Sequence, residues 1–516
     1  MASEDLCWLS AAETAAAIKR KKVSPVEVLR AVLAQIERLN PTLNAFVTVT
    51  AEHALKEARA AERALMRKNA IIGPFHGVPF STKDVVNTKG IRTTFGTPLY
   101  AENVPTEDAP IVARLRAAGA IQLGKTNTPT FGWLGVTHNL LFGTTRSPWN
   151  TECTPGGSSG GAGAAVAAGM GPLAIGTDAG GSIRIPASFS GIYGLKPSFG
   201  RIPVYPPSAA WSISHLGPMT RTVTDAALLL TVCAGPDHRD QYSLPAEKMD
   251  YVKALRGSLK GLRVAWTADL GFTKAIDPEV KAACEKAAKR FREFGCRVEE
   301  VKPNWPSPQE AWEVIFSGSL ATRLAPSLAD RRADLEPGLA ALIDRALTWG
   351  PTRYIQAWFD RLAWNEPVQR LFEKYALLLT PTLPCRPFAV GLDHPTEVAG
   401  TPVDRYEWIP FTFPFNLTGN PAASVPCGFT ADGLPVGLQT VGRRFDDLTV
   451  LRASAACEQA RPWVADRKSG LSMPHGWARC ASGSPTSSSW MARASMPSAT
   501  GSSCCATTPR SCCQGA

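Results

Sequence analysis

TPGGSSGGAGAAVAAGMGPLAIGTDAGGSIRIPASFSGIYGLKP, residues 154–197, is the stretch whose reading decides the fold. It holds two serine-bearing glycine turns, Gly156-Gly157-Ser158-Ser159-Gly160-Gly161 and Gly180-Gly181-Ser182. Between them the small residues of 162–169 predict a close-packed helix, and the apolar run from Leu173 to Ile175 predicts a buried strand. Glycine, with no side chain, lets backbone N–H groups come close to a ligand or a reacting atom. A serine ending such a turn, ahead of Ile183-Arg184-Ile185-Pro186, stands where a nucleophile and its oxyanion donors can meet. One glycine-rich turn alone reads as a turn; two joined by a helix and a strand read as a site.

Two other glycine motifs compete for the same residues. Gly156-x-Ser158-x-Gly160 satisfies the nucleophile elbow GxSxG, but that elbow follows a strand, and residues 147–155 are rich in turn formers. It also needs a downstream Asp and His, and His215, His238 and His394 sit in no supporting pattern. A phosphate loop requires Gly-Lys-Ser/Thr after the glycines, which is missing.

Working outward, Ser10-Ala-Ala-Glu13 and Ser24-Pro25-Val26-Glu27 are capping boxes. They predict helices to about residue 21 and from 25 to just before Asn40-Pro41, the second with Val28, Val32, Leu33 and Ile36 on one face. An alanine-rich helix is expected over 51–66, so a helical layer at about 1–66 precedes any strong strand. Residues 71–79 then break periodicity and deliver Lys83 after a short extended run. Helix over 109–118, strand over 120–123, strand over 262–266, helix over 278–294 and strand over 375–379 alternate, which argues for an α/β layered fold. From Trp305 to Trp364 the chain is helical and aromatic (Trp312, Phe316, Trp349, Tyr354, Trp358); such a stripe serves either core packing or an apolar pocket.

Bulk properties exclude several classes. The net charge of +11 suggests an acidic partner, but five basic residues and no acid lie from Arg467 onward, and no basic block is interleaved with aromatics. Nucleic-acid binding is therefore not expected. Of 13 cysteines five fall in that same tail; the others are scattered without CxxC or His/Cys ligand spacing, so free thiols are expected and no metal site. No apolar run reaches the roughly 18 residues of a membrane span, and the start lacks a signal-peptide pattern, so the expected location is cytoplasmic, with no membrane partner.

The motifs resemble the signature of the amidase signature family of serine hydrolases: GGSSGG, a small-residue helix, GTDxGGSIRxPA and GLKP, here at Gly156–Gly161, Gly176–Ala187 and Gly194–Pro197. The lysine segment GVPxSxKD is matched by Gly77–Asp84, and similarity runs through 378–382, 413–419 and 433–439 to about Asp466. The resemblance implies a mixed twisted β-sheet between helical layers in one domain over 1–466. Its signature core would span about 71–220, and a helical region at about 300–370 would cover the pocket. It implies Ser182 as nucleophile, Ser158 as proton bridge and Lys83 as base. The N–H groups of Ala179, Gly180, Gly181 and Ser182 would form the oxyanion hole, with a cis peptide between Gly157 and Ser158. Lys83 can be a base only if burial keeps it neutral. Ser159, Asp178 and Arg184 stand either as supports of this machinery or as turn former, cap and ion pair. Phe131, Trp133, Phe142, Tyr205 and Trp211 are expected pocket aromatics, and Thr130 stands where relatives often carry Glu.

The implied activity is hydrolysis of small-molecule carboxamides, favouring aryl or hydrophobic ones, through an acyl-enzyme and without a cofactor. The alternative within the family is the glutaminase subunit of a tRNA-dependent amidotransferase. A homodimer stays open. Residues 467–516 are serine-, alanine- and cysteine-rich without periodicity, and read as disordered or as the product of a reading-frame shift.

Overall fold

Eleven strands of the described residues form one mixed sheet, here β1 (Phe46–Val49), β2 (Pro79–Lys83), β3 (Ile121–Thr126), β4 (Leu173–Asp178), β5 (Tyr193–Lys196), β6 (His215–Thr220), β7 (Arg263–Trp266), β8 (Arg297–Glu300), β9 (Leu377–Pro381), β10 (Ala422–Phe429) and β11 (Pro435–Gly442). The computed structural model describes residues 3–464, so the boundary at 466 and the expectation for 467–516 lie outside it. Strand order is β1-β3-β2-β4-β6-β5-β10-β11-β9-β7-β8. β2 pairs in parallel with both β3 and β4, and β9 with β7, while β4 to β6, β10 to β11 and β11 to β9 are antiparallel.

The period of two along a strand divides the core between the faces. Leu377 and Leu379 join one apolar cluster with Phe75, from the turn ahead of β2, and with Ile111, Leu229, Val280 and Leu451, from the helices at Pro110–Ala117, Val223–Cys233, Pro278–Arg290 and Asp447–Ala460. Leu378, between them, joins the other with Trp312, Leu320, Ile343 and Trp408, under the helices at Gln309–Arg331, Pro337–Leu347 and Pro351–Lys374. The sheet between helical layers is thus as expected, and the aromatic stripe belongs mainly to the second core: Trp305 and Trp364 meet edge to face at 5.3 Å.

Several local expectations need correction, among them the leading helical layer of about 1–66, which β1 interrupts at Phe46–Val49. Both capping boxes form, opening helices Ala11–Lys19 and Pro25–Leu43. The second helix does not stop before Asn40-Pro41 but continues through Pro41. Asn44 ends it in the left-handed region (φ 47°), with its N–H on the Asn40 carbonyl at 2.8 Å. The Asn40 Oδ1 meanwhile accepts from the Ala45 and Phe46 amides at 2.9 and 2.7 Å, turning the chain into β1. Pro41 forfeits one N–H bond, to the carbonyl four residues back, and with a single turn left that loss does not end the helix. The helix expected to 294 stops at Arg290, and a turn closes at Gly295 (φ 82°). β4 runs on past Ile175 to Asp178 and carries Thr177 and Asp178 to the site.

Candidate active site

Three parallel neighbours, β3-β2-β4, bring the chemistry together. Lys83 is the last residue of β2, and Thr177 and Asp178 are the last two of β4, so all three stand at one end of the sheet. Ser158 and Ser159 precede the helix Gly160–Ala167, every residue of which is buried. Only small residues allow that: a Cβ on Gly161 would lie 2.3 Å from the Asn127 nitrogen and 2.5 Å from the Ala45 oxygen. The Gly157–Ser158 peptide is cis.

Lys83 Nζ lies 2.6 Å from Ser158 Oγ and 2.8 Å from Thr177 Oγ1. Its side chain is wholly buried and, among the described residues, in no ion pair. Burial therefore pushes the ammonium down from its ordinary 10.5 to about 7, against the opposing pull of the Asp178 charge. Among the described residues a lysine, and no histidine, stands beside the serine. His215 instead is buried behind β4, with Nδ1 within 3.1 Å of the Asp178 carbonyl.

Asp178 and Arg184 are both fully buried and form a two-pronged pair, Nη2 to Oδ1 at 2.9 Å and Nε to Oδ2 at 3.0 Å. Burial alone would raise the Asp178 carboxyl, but the guanidinium overrides it and holds it well below the usual carboxylate range. The same carboxylate accepts from the Gly181 amide (2.8 Å), the Ile183 amide (3.2 Å) and Asn416 Nδ2 (2.9 Å), fixing the loop around Ser182. Arg184 spends its remaining donors on the Thr412 carbonyl, Gln439 Oε1 and Asn416 Oδ1 at 2.7–2.9 Å. The Ser159 amide donates to the Ser182 carbonyl at 3.2 Å, and its hydroxyl bridges the Thr177 amide and carbonyl at 3.3 Å.

In the expected oxyanion loop, Trp312 Nε1 donates to the Ala179 carbonyl (2.9 Å) and Thr412 Oγ1 to the Gly180 carbonyl (2.7 Å). The amides of Ala179, Gly180 and Ser182 have no acceptor among the described residues, so they are open to a ligand oxygen. Gly181 is the correction: its amide is already committed to Asp178. A donor so held orients the loop and leaves three amides for the site.

Ser182 sits where two cavities meet. The larger, about 330 Å³, is lined by Ser158, Thr177, Phe95, Tyr100, Phe131, Tyr205, Phe316 and Arg323 among others. The smaller recess, about 30 Å³, lies between Trp133, Leu134, Ile185, Trp312, Trp408 and Ile409. Phe131, Tyr205 and Trp133 thus face the site, as do Trp312 and Phe316 from the aromatic stripe. Phe142 does not. Its amide is tied to Asn139 Oδ1 and its carbonyl to Asn44 Nδ2, both at 2.7 Å, and its ring lies against Arg92. Trp211 is also outside both cavities, stacked at 5.6 Å on Tyr242 near the surface and 6.0 Å from Trp358.

Thr130 gives a further result. Its Oγ1 donates to Glu336 Oε1 at 2.8 Å, so a carboxylate does stand at this turn, supplied from 206 residues further on. The turn continues into Gly132 (φ 75°), where an added Cβ would lie 2.9 Å from Ser158 Oγ and 3.7 Å from Lys83 Nζ. Thr177, Glu336, Asn416 and Gln439 were not singled out in the sequence. Thr177 lay in plain view inside GTD, one residue before Asp178, and Asn416 and Gln439 lay inside the family-like segments 413–419 and 433–439; Glu336 has no local signal.

A model of the family Amidase matches residues 27–451, and the chain belongs to that family; it is a hydrolase acting on amide C–N bonds. Among its relatives is an acylamidase of Rhodococcus erythropolis, 40% identical over 477 residues that cover 91% of this chain and 98% of the other. A glutamyl-tRNA(Gln) amidotransferase subunit from Geobacter metallireducens is 37% identical, covering 88% and 97%. Among solved structures, a bacterial aryl acylamidase of the amidase signature family superposes with a TM-score of 0.85 at 33% identity, covering 90% of this chain and 99% of that one.

Proposed function

We propose that Ser182 attacks the amide carbonyl, that Ser158 relays its proton to Lys83, and that the substrate amide joins one bulky apolar or aryl group to one small group. The observation that carries the chemistry is the 2.6 Å contact between a buried, ion-pair-free lysine and Ser158. With a pKa of about 7, the amine is about half neutral at neutral pH and can take a proton through the Ser158 hydroxyl. The Ser182 oxygen bonds to the carbonyl carbon, and the open amides of Ala179, Gly180 and Ser182 stabilise the oxyanion. When the C–N bond breaks, the relayed proton returns through Ser158 to the departing nitrogen, leaving an ester on Ser182. Water then attacks the ester over the same relay and releases the acid.

The unequal cavities support the substrate reading: rings surround the larger, while the smaller has room for little more than a methyl-sized group. The aryl acylamidase likeness points the same way. The glutaminase reading rests on likeness to the amidotransferase relatives. Against it, among the described residues the larger cavity has no carboxylate in its lining to receive the α-ammonium of glutamine, and Asp393 lines only the small recess.

The test is a panel of acylanilides, aryl amides, aliphatic amides and glutamine, run on the parent and Ser182→Ala. Acylanilide turnover is expected, falling by about four powers of ten in the variant, with a mass increment of the acyl group on the Ser182 peptide after rapid quenching. Glutamine turnover confined to mixtures with partner proteins would refute it.

A further inference from the structure

We infer that Arg323 is an anchor for a carboxylate on the bulky half of the substrate, making anionic acylanilides preferred over neutral ones. The inference rests on the proposed reading of the larger cavity. Of the residues lining that cavity, Arg323 alone carries a charge. It projects from the middle of the helix Gln309–Arg331, and its guanidinium lies 6.0 Å from the centre of the Phe131 ring. No carboxylate pairs with it and no hydrogen bond holds it among the described residues, whereas Arg331 and Arg332 of the same helical end are both paired with aspartates.

Phe131 is itself held for display. Its backbone is in the left-handed region (φ 49°), a conformation uncommon for an aromatic residue and fixed here by its N–H on the Phe95 carbonyl at 2.8 Å. Its ring stacks on Phe95 at 4.9 Å and meets Tyr100 edge-on at 5.6 Å. The next residue, Gly132, abuts Ser158 Oγ. A benzene ring lying along the Phe95–Tyr100–Phe131 wall with its amide at Ser182 therefore directs its far substituent toward a guanidinium with free donors. A planar fork matches a carboxylate in two hydrogen bonds, and a neutral substituent there gains nothing comparable.

The experiment compares para-acetamidobenzoate with para-methylacetanilide, alike in size and different in charge, on the parent, Arg323→Ala, Arg323→Lys and Arg323→Glu. Arg323 is solvent-exposed, so the effect is that of a partly screened pair. The kcat/KM ratio of anion to neutral is expected to fall about five- to tenfold in Arg323→Ala, mostly through KM. It should fall further in Arg323→Glu, be partly retained in Arg323→Lys, and shrink in the parent as salt is raised. A ratio unmoved by all three variants would overturn the inference. Binding of para-acetamidobenzoate to Ser182→Ala, with and without Arg323→Ala, reads the same contact without turnover: five- to tenfold weaker binding supports it and equal binding overturns it. Failure of the parent to turn over either anilide counts against the proposed chemistry instead, and leaves this binding measurement to decide on Arg323.

Discussion

Replacing Lys83 by methionine separates the two consequences of burying an amine. The group passes from an ordinary 10.5 in the unfolded chain to about 7 in the folded one. Between these values the unfolded state binds more protons, so the lysine makes the parent gain stability as pH rises from about 7 to about 10.5. Below about 7 both states are charged and the full penalty of burying the ammonium, about 5 kcal/mol, is present. Within a practical window of about pH 6.5 to about pH 9.5 the linkage integral gives a gain of about 3 kcal/mol. Lys83→Met has the same shape without the proton, so subtracting its urea unfolding free energies from those of the parent isolates this one group from all others that titrate there. The difference should move in favour of the parent by about 3 kcal/mol across the window. Turnover supplies the companion measurement: the parent's kcat/KM should rise tenfold per pH unit below about 7 and level off above it, and the variant should be inactive throughout. Parallel stability curves for the two proteins, together with parent activity still climbing at pH about 9, would refute the reasoning.

Three further outcomes follow from the site. Asp178→Asn strands the Arg184 guanidinium in the interior and should cost about 3–5 kcal/mol of stability by urea unfolding; because the Asp178 charge holds Lys83 up, whatever activity survives should have its acid limb moved to lower pH. Gly132→Ala places a methyl against Ser158 Oγ in a backbone conformation unfavourable to alanine, and should lower kcat about a hundredfold with a much smaller change in thermal midpoint. Glu336→Ala removes one of the two acceptors of the Thr130 hydroxyl, leaving the Gly96 carbonyl, and should reduce kcat/KM about tenfold, whereas Glu336→Gln, whose carbonyl oxygen still accepts that bond, should stay within about twofold.

The machinery was legible because it is local. Two glycine turns, a helix that admits only small residues and a strand ending in Thr-Asp are written in consecutive letters, and each letter reports a steric demand the structure meets within a few residues. Lys83 needed the family pattern, since 75 residues separate it from Ser158. What escaped was whatever depends on distant chain segments meeting. Arg184 reaches Asn416 and Gln439 across 232 and 255 residues, and Glu336 reaches Thr130 across 206, with no periodicity to announce any of them. Aromatic composition likewise marked rings without aiming them. Phe142 and Trp211 were drawn out of the pocket by neighbours, Arg92 for one and Tyr242 for the other, that sequence spacing does not reveal.

The guanidinium of Arg184 joins the loop around Ser182 to the Thr412 carbonyl, to Asn416 and to Gln439 on β11. During synthesis the ribosome has therefore delivered both serines and the lysine long before the arginine's last partners leave the exit tunnel. A half-made polypeptide carries Lys83, Ser158 and Ser182 without that brace. The loop around Ser182 is thus fully braced only once residues 412–439, far along the chain, have joined the fold.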